Sequence, residues 1–290
     1  MNLSPNISPT VFFEDESLKG SSLKGHTLFI QIGLDEFSFC LSDEKEKRIL
    51  ALAAYTFRGI YTYNSLCEEV EKIMLEKIFF RNKNLAVKIA IARSPSTLVP
   101  DGFLEQEDAS DFLAFNHPLQ ADEMFFTDKL KNTSAKNIFS VPLSLKKYFS
   151  EIYSDISFHH HSTALIDHLL ATYKNKSNKT MVVNIQNSHF EIIVLEENKL
   201  LFYNSFKHQT SEDFIYYLLF CCEQLSLNPE KIELVLVGEV EQESAIYSIL
   251  HKYIRHVKFG NRSEIYNYSY KMNSLPKHFY YSLFSQYLCG

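Results

Sequence analysis

Two stretches of the sequence follow one pattern: LFIQIGLDEFSFC at residues 28–40 and MVVNIQNSHFEII at residues 181–193. They align without a gap, so that Ile30 lies over Val183. In each stretch, two runs in which every second residue is apolar flank a turn, which is typical of a β-hairpin with one buried face. We therefore predict that the chain contains the same strand-rich unit twice, as an internal duplication.

The elements predicted beyond these hairpins keep the same order in both halves. Each hairpin is followed by a third strand, an amphipathic helix, a continuous apolar strand of the kind buried in parallel sheets, a helix, a short strand and a closing helix. Pro276 fits the first turn of the last helix, where its missing N–H costs nothing. Apart from the amphipathic helix, these elements are placed at 49–57, 85–92, 143–153, 155–159 and 162–173 in the first half, and at 199–206, 232–238, 241–254, 256–259 and 276–288 in the second.

The length and composition fit two globular domains, since 46% of the residues are hydrophobic and 22% are charged. We predict α/β halves at residues 25–174 and 175–290. The stretch of about 93–136 interrupts the first half with polar turns and aromatic clusters, and we expect it to form a small inserted subdomain. Residues 1–24 are rich in Ser, Pro, Lys and Gly, which predicts a partly ordered N-terminal arm.

Charge and hydropathy exclude several classes of function. The formal net charge is −6 and no basic run is longer than Lys146-Lys147, so we expect no nucleic-acid partner, because binding to phosphate backbones relies on clustered cations. The opening MNLSPNISPTVFF lacks the features of a secretory signal, and no stretch is long and apolar enough for a membrane span. These features predict a cytoplasmic protein.

The five cysteines lie in apolar patterns without the spacing of a zinc site or a disulfide framework. We predict that all of them are free thiols, and that the adjacent pair fills core volume on a helix rather than acting in redox chemistry. They are Cys40, Cys67, Cys221, Cys222 and Cys289.

Each half is predicted to contain three meandering strands followed by a helix, a strand, a helix, a strand and a helix. This order, present twice, resembles two tandem RNase H-like units. Two such units with a subdomain inserted in the first are similar to the actin-like ATPase superfamily, especially its bacterial branch that includes PilM and FtsA. More narrowly, QIGLDEFSFC, PSTLVPDGF and IFSVPLSL resemble an uncharacterised bacterial family of unknown function, DUF3822. The resemblance implies an actin-like ATPase, ribonuclease H-like fold over about residues 26–289, and it implies no established activity.

In that superfamily the first turn of each half grips phosphates with backbone N–H groups, and an Asp in each turn organises Mg²⁺. The position that resembles the first of these Asp residues is Gln31. Of the glycines that let phosphate approach this turn in the superfamily, only Gly33 is present here. Leu34 follows it, where the superfamily usually has Thr or Ser. Asp35 comes next, and we expect it to be a solvated turn residue.

The second turn departs from the superfamily in the same way. Asn184 stands in the Asp position, and Asn187 stands where a glycine would bring the backbone close to phosphate. The strand that resembles the adenosine motif ends in Gly238 alone, before Glu239, whose charge would oppose an anionic ligand. The resemblance thus implies a degenerate nucleotide cleft without catalytic residues or a bound cofactor, with the candidate residues Gln31, Gly33, Asp35, Asn184, Asn187 and Gly238.

A run of three histidines, His159 to His161, is the most obvious metal-binding candidate, with His168 seven residues later. Alternate residues of a strand face opposite sides, so at most His159 and His161 converge, and no Cys or carboxylate lies at ligand spacing beside them. We interpret the run as the end of a strand that leads into a helix N-cap at Ser162 or Thr163, and we predict no metal site.

These interpretations predict a non-catalytic protein that acts as a scaffold for a protein partner. The binding surface would be the inserted subdomain or the cleft between the halves. The alternative is an ATP-binding actin-like switch, or a weak ATPase, in which altered ligands hold ATP and Mg²⁺. A nuclease of this fold is disfavoured, because two-metal chemistry needs several carboxylates on the central strands.

Overall fold

The computed structural model describes residues 8–18, 23–103, 109–118 and 120–288. Its strands form a seven-stranded, a five-stranded and a three-stranded sheet. The strands are β1 (Val11–Glu14), β2 (His26–Gly33), β3 (Glu36–Asp43), β4 (Arg48–Thr56), β5 (Ala86–Ile91), β6 (Ser96–Pro100), β7 (Glu123–Lys129), β8 (Ala135–Pro142), β9 (Ile156–His160), β10 (Thr180–Ile185), β11 (His189–Glu196), β12 (Lys199–Lys207), β13 (Glu233–Gly238), β14 (His256–Phe259) and β15 (Asn267–Tyr268). The α-helices are α1 (Tyr63–Glu76), α2 (Ala109–Asn116), α3 (Leu143–Ile152), α4 (His161–Tyr173), α5 (Ser211–Gln224), α6 (Ala245–Tyr253) and α7 (Tyr281–Ser285).

The two larger sheets share one strand order. It is β4-β3-β2-β5-β9 in the first and β12-β11-β10-β13-β14 in the second. The first strand of each unit pairs antiparallel with the second and parallel with the fourth, and the register agrees, since Ile30 faces Phe39 where Val183 faces Ile192. The predicted α/β fold with two units of the same order is confirmed.

Apolar residues on both faces explain why the central strands are buried. One face of the first sheet packs against α1 and α3, with Phe37, Phe39 and Phe149 almost fully buried among the contacts. One face of the second sheet packs in the same way against α5 and α6. Fully burying a large apolar side chain contributes about 1.5–3 kcal/mol, so these layers supply most of the stability.

Capping side chains fix where several helices begin. The hydroxyl of Thr62 accepts a hydrogen bond from the backbone N–H of Ser65 at the start of α1. Thr210 and Asp213 form a capping box at the start of α5. Ser244 caps α6, which therefore begins at Ala245, four residues later than the predicted start.

The three-stranded sheet has the order β6-β8-β7 and lies in the chain between β5 and α3. It packs against α2 through Val99, Leu113 and Ile138. β8 continues to Pro142 and leads directly into α3, which ties the small sheet to the first half.

The outer edge of β4 is covered by two short strands that the sequence analysis did not predict. β1, from the N-terminal arm, pairs antiparallel with β4, and β15, from the C-terminal region, pairs parallel with it. In the five-stranded sheet β12 occupies the matching edge, and no strand of the described chain pairs with its outer side. Residues 1–7 and 19–22 of the predicted arm lie outside the described residues.

The helix predicted at 276–288 is wrong in its first half. The α-helix begins only at Tyr281, after Tyr280 in a left-handed conformation, and a 3₁₀ turn follows it. Tertiary contacts hold the preceding turn: the His278 ring stacks on Phe259, and its backbone carbonyl accepts a hydrogen bond from the N–H of Gly238 at 2.8 Å. The C-terminal helix bridges the halves, because α7 contacts β2 and β3 as well as β13.

Four of the predicted free thiols are confirmed, since Cys40, Cys67, Cys221 and Cys222 form no disulfide. The last two are buried in the core beneath α5. Cys289 lies outside the described residues. Among the described helices, none combines the length and apolarity that crossing a bilayer requires.

Candidate functional site

The first turn, between β2 and β3, holds its amide in internal hydrogen bonds. Gln31 is buried, and its Nε2 donates to Oε1 of Glu36 at 3.0 Å. The hydroxyl of Ser282 on α7 donates to Oε1 of Gln31 at 2.8 Å. Both ends of the amide are therefore engaged within the protein.

Asp35 is not the solvated turn residue that the sequence analysis expected. Its carboxylate forms an ion pair with the guanidinium of Arg93, which follows β5. Ser188, in the turn between β10 and β11, accepts a hydrogen bond from Nη1 of Arg93 at 2.9 Å and donates to Oδ2 of Asp35 at 3.3 Å. Asp35, Arg93 and Ser188, hereafter the bridge, thus connect the turns of the two halves.

Arg93 holds this position with a strained backbone, since its φ of 60° lies in the left-handed region that non-glycine residues rarely adopt. Such strain persists where surrounding contacts over-determine the conformation. Burial lowers the pKa of Arg93 to about 10, so the side chain remains a cation at neutral pH. A permanent positive charge therefore lies between the two turns.

The second turn also engages its amide. Asn184 is 1% exposed, and its Nδ2 donates to Oε2 of Glu191 at 2.8 Å. Asn187 is exposed at the tip of the turn, where its Nδ2 lies 3.5 Å from Oγ1 of Thr56 on β4. Asn187 therefore makes a second, weaker contact between the halves.

The two candidate glycines differ in what they require. Gly238 ends β13 with a φ of 88°, and a Cβ there would overlap the carbonyl oxygen of Ile185, so only glycine fits. Gly33 has no left-handed φ, and a Cβ there would lie 3.3 Å from the carbonyl oxygen of Ala92. The fold therefore requires glycine at position 238, whereas position 33 could accept a Cβ after a small shift of its neighbours.

Carboxylates dominate the cleft around the bridge. Burial and the nearby Glu36 raise the pKa of Glu239 to about 8, against the opposing effect of Arg93. Burial also raises the pKa of Glu36, against the effect of its hydrogen bond from Gln31. Asp35 and Glu36 both lie within ion-pair distance of the guanidinium of Arg93, so this cation offers little free positive charge to an anion between the turns.

Sequence reasoning missed a fully buried polar network in the second half. Oε1 of Glu191 accepts a hydrogen bond from Tyr203 at 2.6 Å and lies 3.0 Å from Nε2 of His161. Burial opposes ionisation of Glu191, but the charge and hydrogen bond of His161 hold its pKa well below the usual range. Burial likewise opposes a charge on His161, yet Glu191 raises the pKa of that histidine. The two form a buried ion pair.

His159 and His161, the two histidines of the run that strand alternation would allow to converge, have different partners. His159 lies 2.8 Å from Oδ1 of Asp128, whereas His161 faces Glu191, because the chain passes from β9 into α4 at this point and strand alternation ends. The N-cap of α4 is His160, and not Ser162 or Thr163. Within the described ranges, no group of three or more His, Cys, Asp or Glu side chains is arranged to hold a metal ion.

Two sequence signals could have drawn attention to the residues that were missed. Arg93 directly follows a continuous apolar strand, and sites in α/β sheets gather at the carboxyl ends of such strands. Glu191 is a charged residue between Phe190 and Ile192 in a strand buried on both faces, where an acid needs a partner.

Comparison with known proteins agrees with the topology. The model of a family described as "Protein of unknown function (DUF3822)" matches residues 15–257. A Bacteroides thetaiotaomicron VPI-5482 protein with an actin-like ATPase fold and unknown function is 27% identical, with 82% of this chain and 91% of that chain covered and a TM-score of 0.74. A chain of the PilM-PilN type IV pilus biogenesis complex is 14% identical, with 86% and 92% covered and a TM-score of 0.58. The search of curated proteins found no match. The predicted resemblance and the actin-like ATPase fold are confirmed.

Proposed function

Since the chain belongs to the DUF3822 family of proteins of unknown function and has the actin-like ATPase fold, we propose that it is a non-catalytic scaffold for protein interactions. The observation that carries the proposal is the bridge, in which Arg93 links Asp35 of the first turn to Ser188 of the second. In this proposal an internal ion pair replaces the Mg²⁺-nucleotide that relatives of this fold hold between these turns, and it fixes the halves relative to each other.

The residues at the two turns do not fit a magnesium triphosphate. Mg²⁺ is bound through carboxylate and water oxygens, but Gln31 and Asn184 offer neutral amides that already bond to Glu36 and Glu191. The one carboxylate at the tip of a turn, Asp35, is paired with Arg93. Since Arg93 is already paired with Asp35, the cleft offers neither the metal ligands nor a free positive charge for the triphosphate.

The small inserted sheet offers a surface suited to a partner. Large apolar side chains are exposed on and beside it, whereas such side chains are usually depleted from surfaces that contact only water. They are Phe103 (63% exposed), Phe115 (90%), Met124 (37%) and Phe125 (38%). The PilM-PilN complex contains a chain of this fold bound to another protein, which supports a binding role for the fold. We propose an apolar segment of a cytoplasmic protein as the partner.

The nucleotide arm of the proposal is tested by thermal unfolding with and without 10 mM Mg-ATP. A ligand bound with a Kd of about 0.1 mM would stabilise the protein by about 2.7 kcal/mol at that concentration, which is a rise in Tm of several degrees. We expect a rise below about 1 °C. A larger rise that inorganic phosphate does not reproduce would overturn the proposal in favour of an ATP-binding switch.

The scaffold arm is tested with a partner isolated by affinity capture from the native cells and then purified. We expect Phe115→Ser to weaken the reconstituted complex at least tenfold, because a large exposed aromatic side chain is typical of binding hot spots. Ile78→Ser is the matched control, since Ile78 is 74% exposed and belongs to a 3₁₀ turn before β5, outside the inserted sheet. Equal affinities for both variants would place the interface elsewhere and contradict the proposed surface.

A further inference from the structure

A cleft of about 360 Å³ is bordered on one side by the bridge, since Arg93 and Ser188 are among its lining residues. Its walls come from the start of the inserted sheet, the start of α4, the second turn and the end of β12. None of Gln31, Gly33, Asp35, Asn184, Asn187 or Gly238 lines it. The polar residues that carry the argument are Ser94, Ser96, His117, His189, Ser205 and Lys207.

Two buried side chains in this cleft have hydrogen-bonding atoms without partners. His189 is 2% exposed, and neither of its ring nitrogens has a partner among the described residues. Burial lowers the pKa of His189 to about 3, so the ring is neutral and offers one donor and one acceptor. The hydroxyl of Ser94, 8% exposed, also lacks a partner. Each unpaired buried group costs about 1–3 kcal/mol, which indicates donors held for a ligand.

The position of Ser94 is fixed by the histidine that caps α4. Nε2 of His160 lies 3.3 Å from the carbonyl oxygen of Ser94, and Nδ1 of the same ring lies 2.6 Å from the hydroxyl of Ser162. The hydroxyl of Ser94 is therefore presented by a braced backbone, next to the positive end of the 13-residue helix α4.

The charge of this cleft favours an anion. Lys207 is exposed and forms no ion pair with the described residues. Three acids in contact with lining residues are already engaged, because Glu191 is fully buried against His161, Asp35 is paired with Arg93 and Asp128 accepts the backbone N–H of His160. An entering anion therefore meets a free ammonium group and hydroxyl donors.

We propose that this cleft binds a phosphate group, either as inorganic phosphate or as a phosphomonoester. Hydroxyls, an imidazole and a lysine arranged around a cavity suit a tetrahedral oxyanion, whereas a carboxylate is best recognised by the planar fork of an arginine. The arginine at hand, Arg93, already uses its fork on Asp35 and Ser188. The cavity has room for a small organic group beyond the phosphate.

Isothermal titration calorimetry with inorganic phosphate and with phenyl phosphate, at constant ionic strength in NaCl, tests the proposal. We expect both to bind, with Lys207→Glu weakening the affinity about tenfold or more and Ser94→Ala weakening it about fivefold. Neither change should destabilise the free protein, because Lys207 is exposed and the hydroxyl of Ser94 is unpaired. Tighter binding of phenyl phosphate would identify a phosphomonoester as the ligand, and equal binding would identify the free ion.

Lys199→Glu is the matched control. It introduces the same change of charge at the other end of β12, and Lys199 is not among the residues that line the cleft. The affinity of the Lys199→Glu variant for inorganic phosphate should stay within twofold of that of the unmodified protein. Absence of binding to the unmodified protein, or equal weakening by Lys199→Glu and Lys207→Glu, would overturn the proposal. The result does not depend on the scaffold hypothesis, which concerns Mg-ATP at the turns and the exposed aromatic surface.

Discussion

The two hairpins carry an amide side chain at matching positions but bind it differently. Gln31 and Asn184 are these amides, and each donates a hydrogen bond to a glutamate, which is partly buried in the first half and fully buried in the second. In the first half the acid is Glu36, five residues on, beside the turn. In the second half it is Glu191, the register partner of Asn184 across the hairpin. The buried amide thus has an internal acceptor in both halves, supplied from a different position in each.

The halves also differ at their outer edges. β4 is mostly buried, because β1 and β15 pair with its two ends. β12 takes the same place in the second sheet, but most of its residues are partly or fully exposed. The first half therefore depends on segments from both ends of the chain, whereas the second half completes its sheet with neighbouring strands alone.

Replacing the buried acid of the second half should have the largest effect. Glu191→Ala leaves His161 buried without its counter-charge and removes the acceptor of Tyr203, which should cost about 3–5 kcal/mol in urea unfolding. Ser38, across the hairpin from Gln31 in the first sheet, is the matched position, and Ser38→Ala should cost less than about 1 kcal/mol. Similar losses at both sites would mean that the buried ion pair contributes nothing particular to the second half.

The two glycines of the cleft provide the next test. Gly238→Ala should cost about 3 kcal/mol, because the new Cβ overlaps the carbonyl oxygen of Ile185 and the backbone is left-handed. Gly33→Ala should cost less than about 1 kcal/mol, since its closest contact needs only a small shift. Thermal unfolding of both variants measures the difference, and an equally mild effect at Gly238 would contradict the described geometry.

The covered edge of the first half can be tested through neighbouring residues of β1. Phe13 is 7% exposed and packs against Leu52 and Leu283, so Phe13→Ala should cost about 2–3 kcal/mol. Phe12 is 46% exposed, with the ammonium of Lys77 3.8 Å from its ring centroid, and Phe12→Ala should cost less than about 1 kcal/mol. Urea unfolding gives both values. If Phe13→Ala is also nearly neutral, β1 does not stabilise the sheet edge.

The smallest expected effect on stability concerns Glu239. Its counterpart in the first half is Ala92, since each donates its backbone N–H to the last residues of the adjacent strand. The folded protein keeps a proton on Glu239 up to a pKa of about 8, whereas the unfolded chain releases it near the ordinary glutamate pKa of 4.5. Stability should therefore fall as pH rises between these values, by about 1 kcal/mol for a partly exposed group.

Glu239→Gln should remove this part of the pH dependence, which is measured by comparing unfolding at pH 5 and pH 8. The variant should gain stability relative to the unmodified protein at pH 8 and little at pH 5. A parallel pH profile for the two proteins would show that Glu239 ionises normally.

The strands of both units were predictable because alternating and continuous apolar runs report burial directly, as in residues 28–40 and 181–193. The pairing of Asp35 with Arg93 was not predictable, since the two residues are 58 positions apart and only the fold brings them together. The same holds for the contact of Ser282 with Gln31, across 251 residues. β1 was missed because four residues are too few to show an alternating apolar pattern. Its formation also depends on pairing with the edge of β4, which the local sequence does not reveal.

The pairing of β15 with β4, together with α7 packed on the first sheet, has a consequence for how the protein is made. Phe29, Cys40 and Leu52 are covered by Tyr266, Met272 and Leu283. Because residues 29–52 are synthesised long before residues 266–283, this apolar face of the sheet lacks its cover until the later segment is made. During that interval the exposed face favours aggregation over folding.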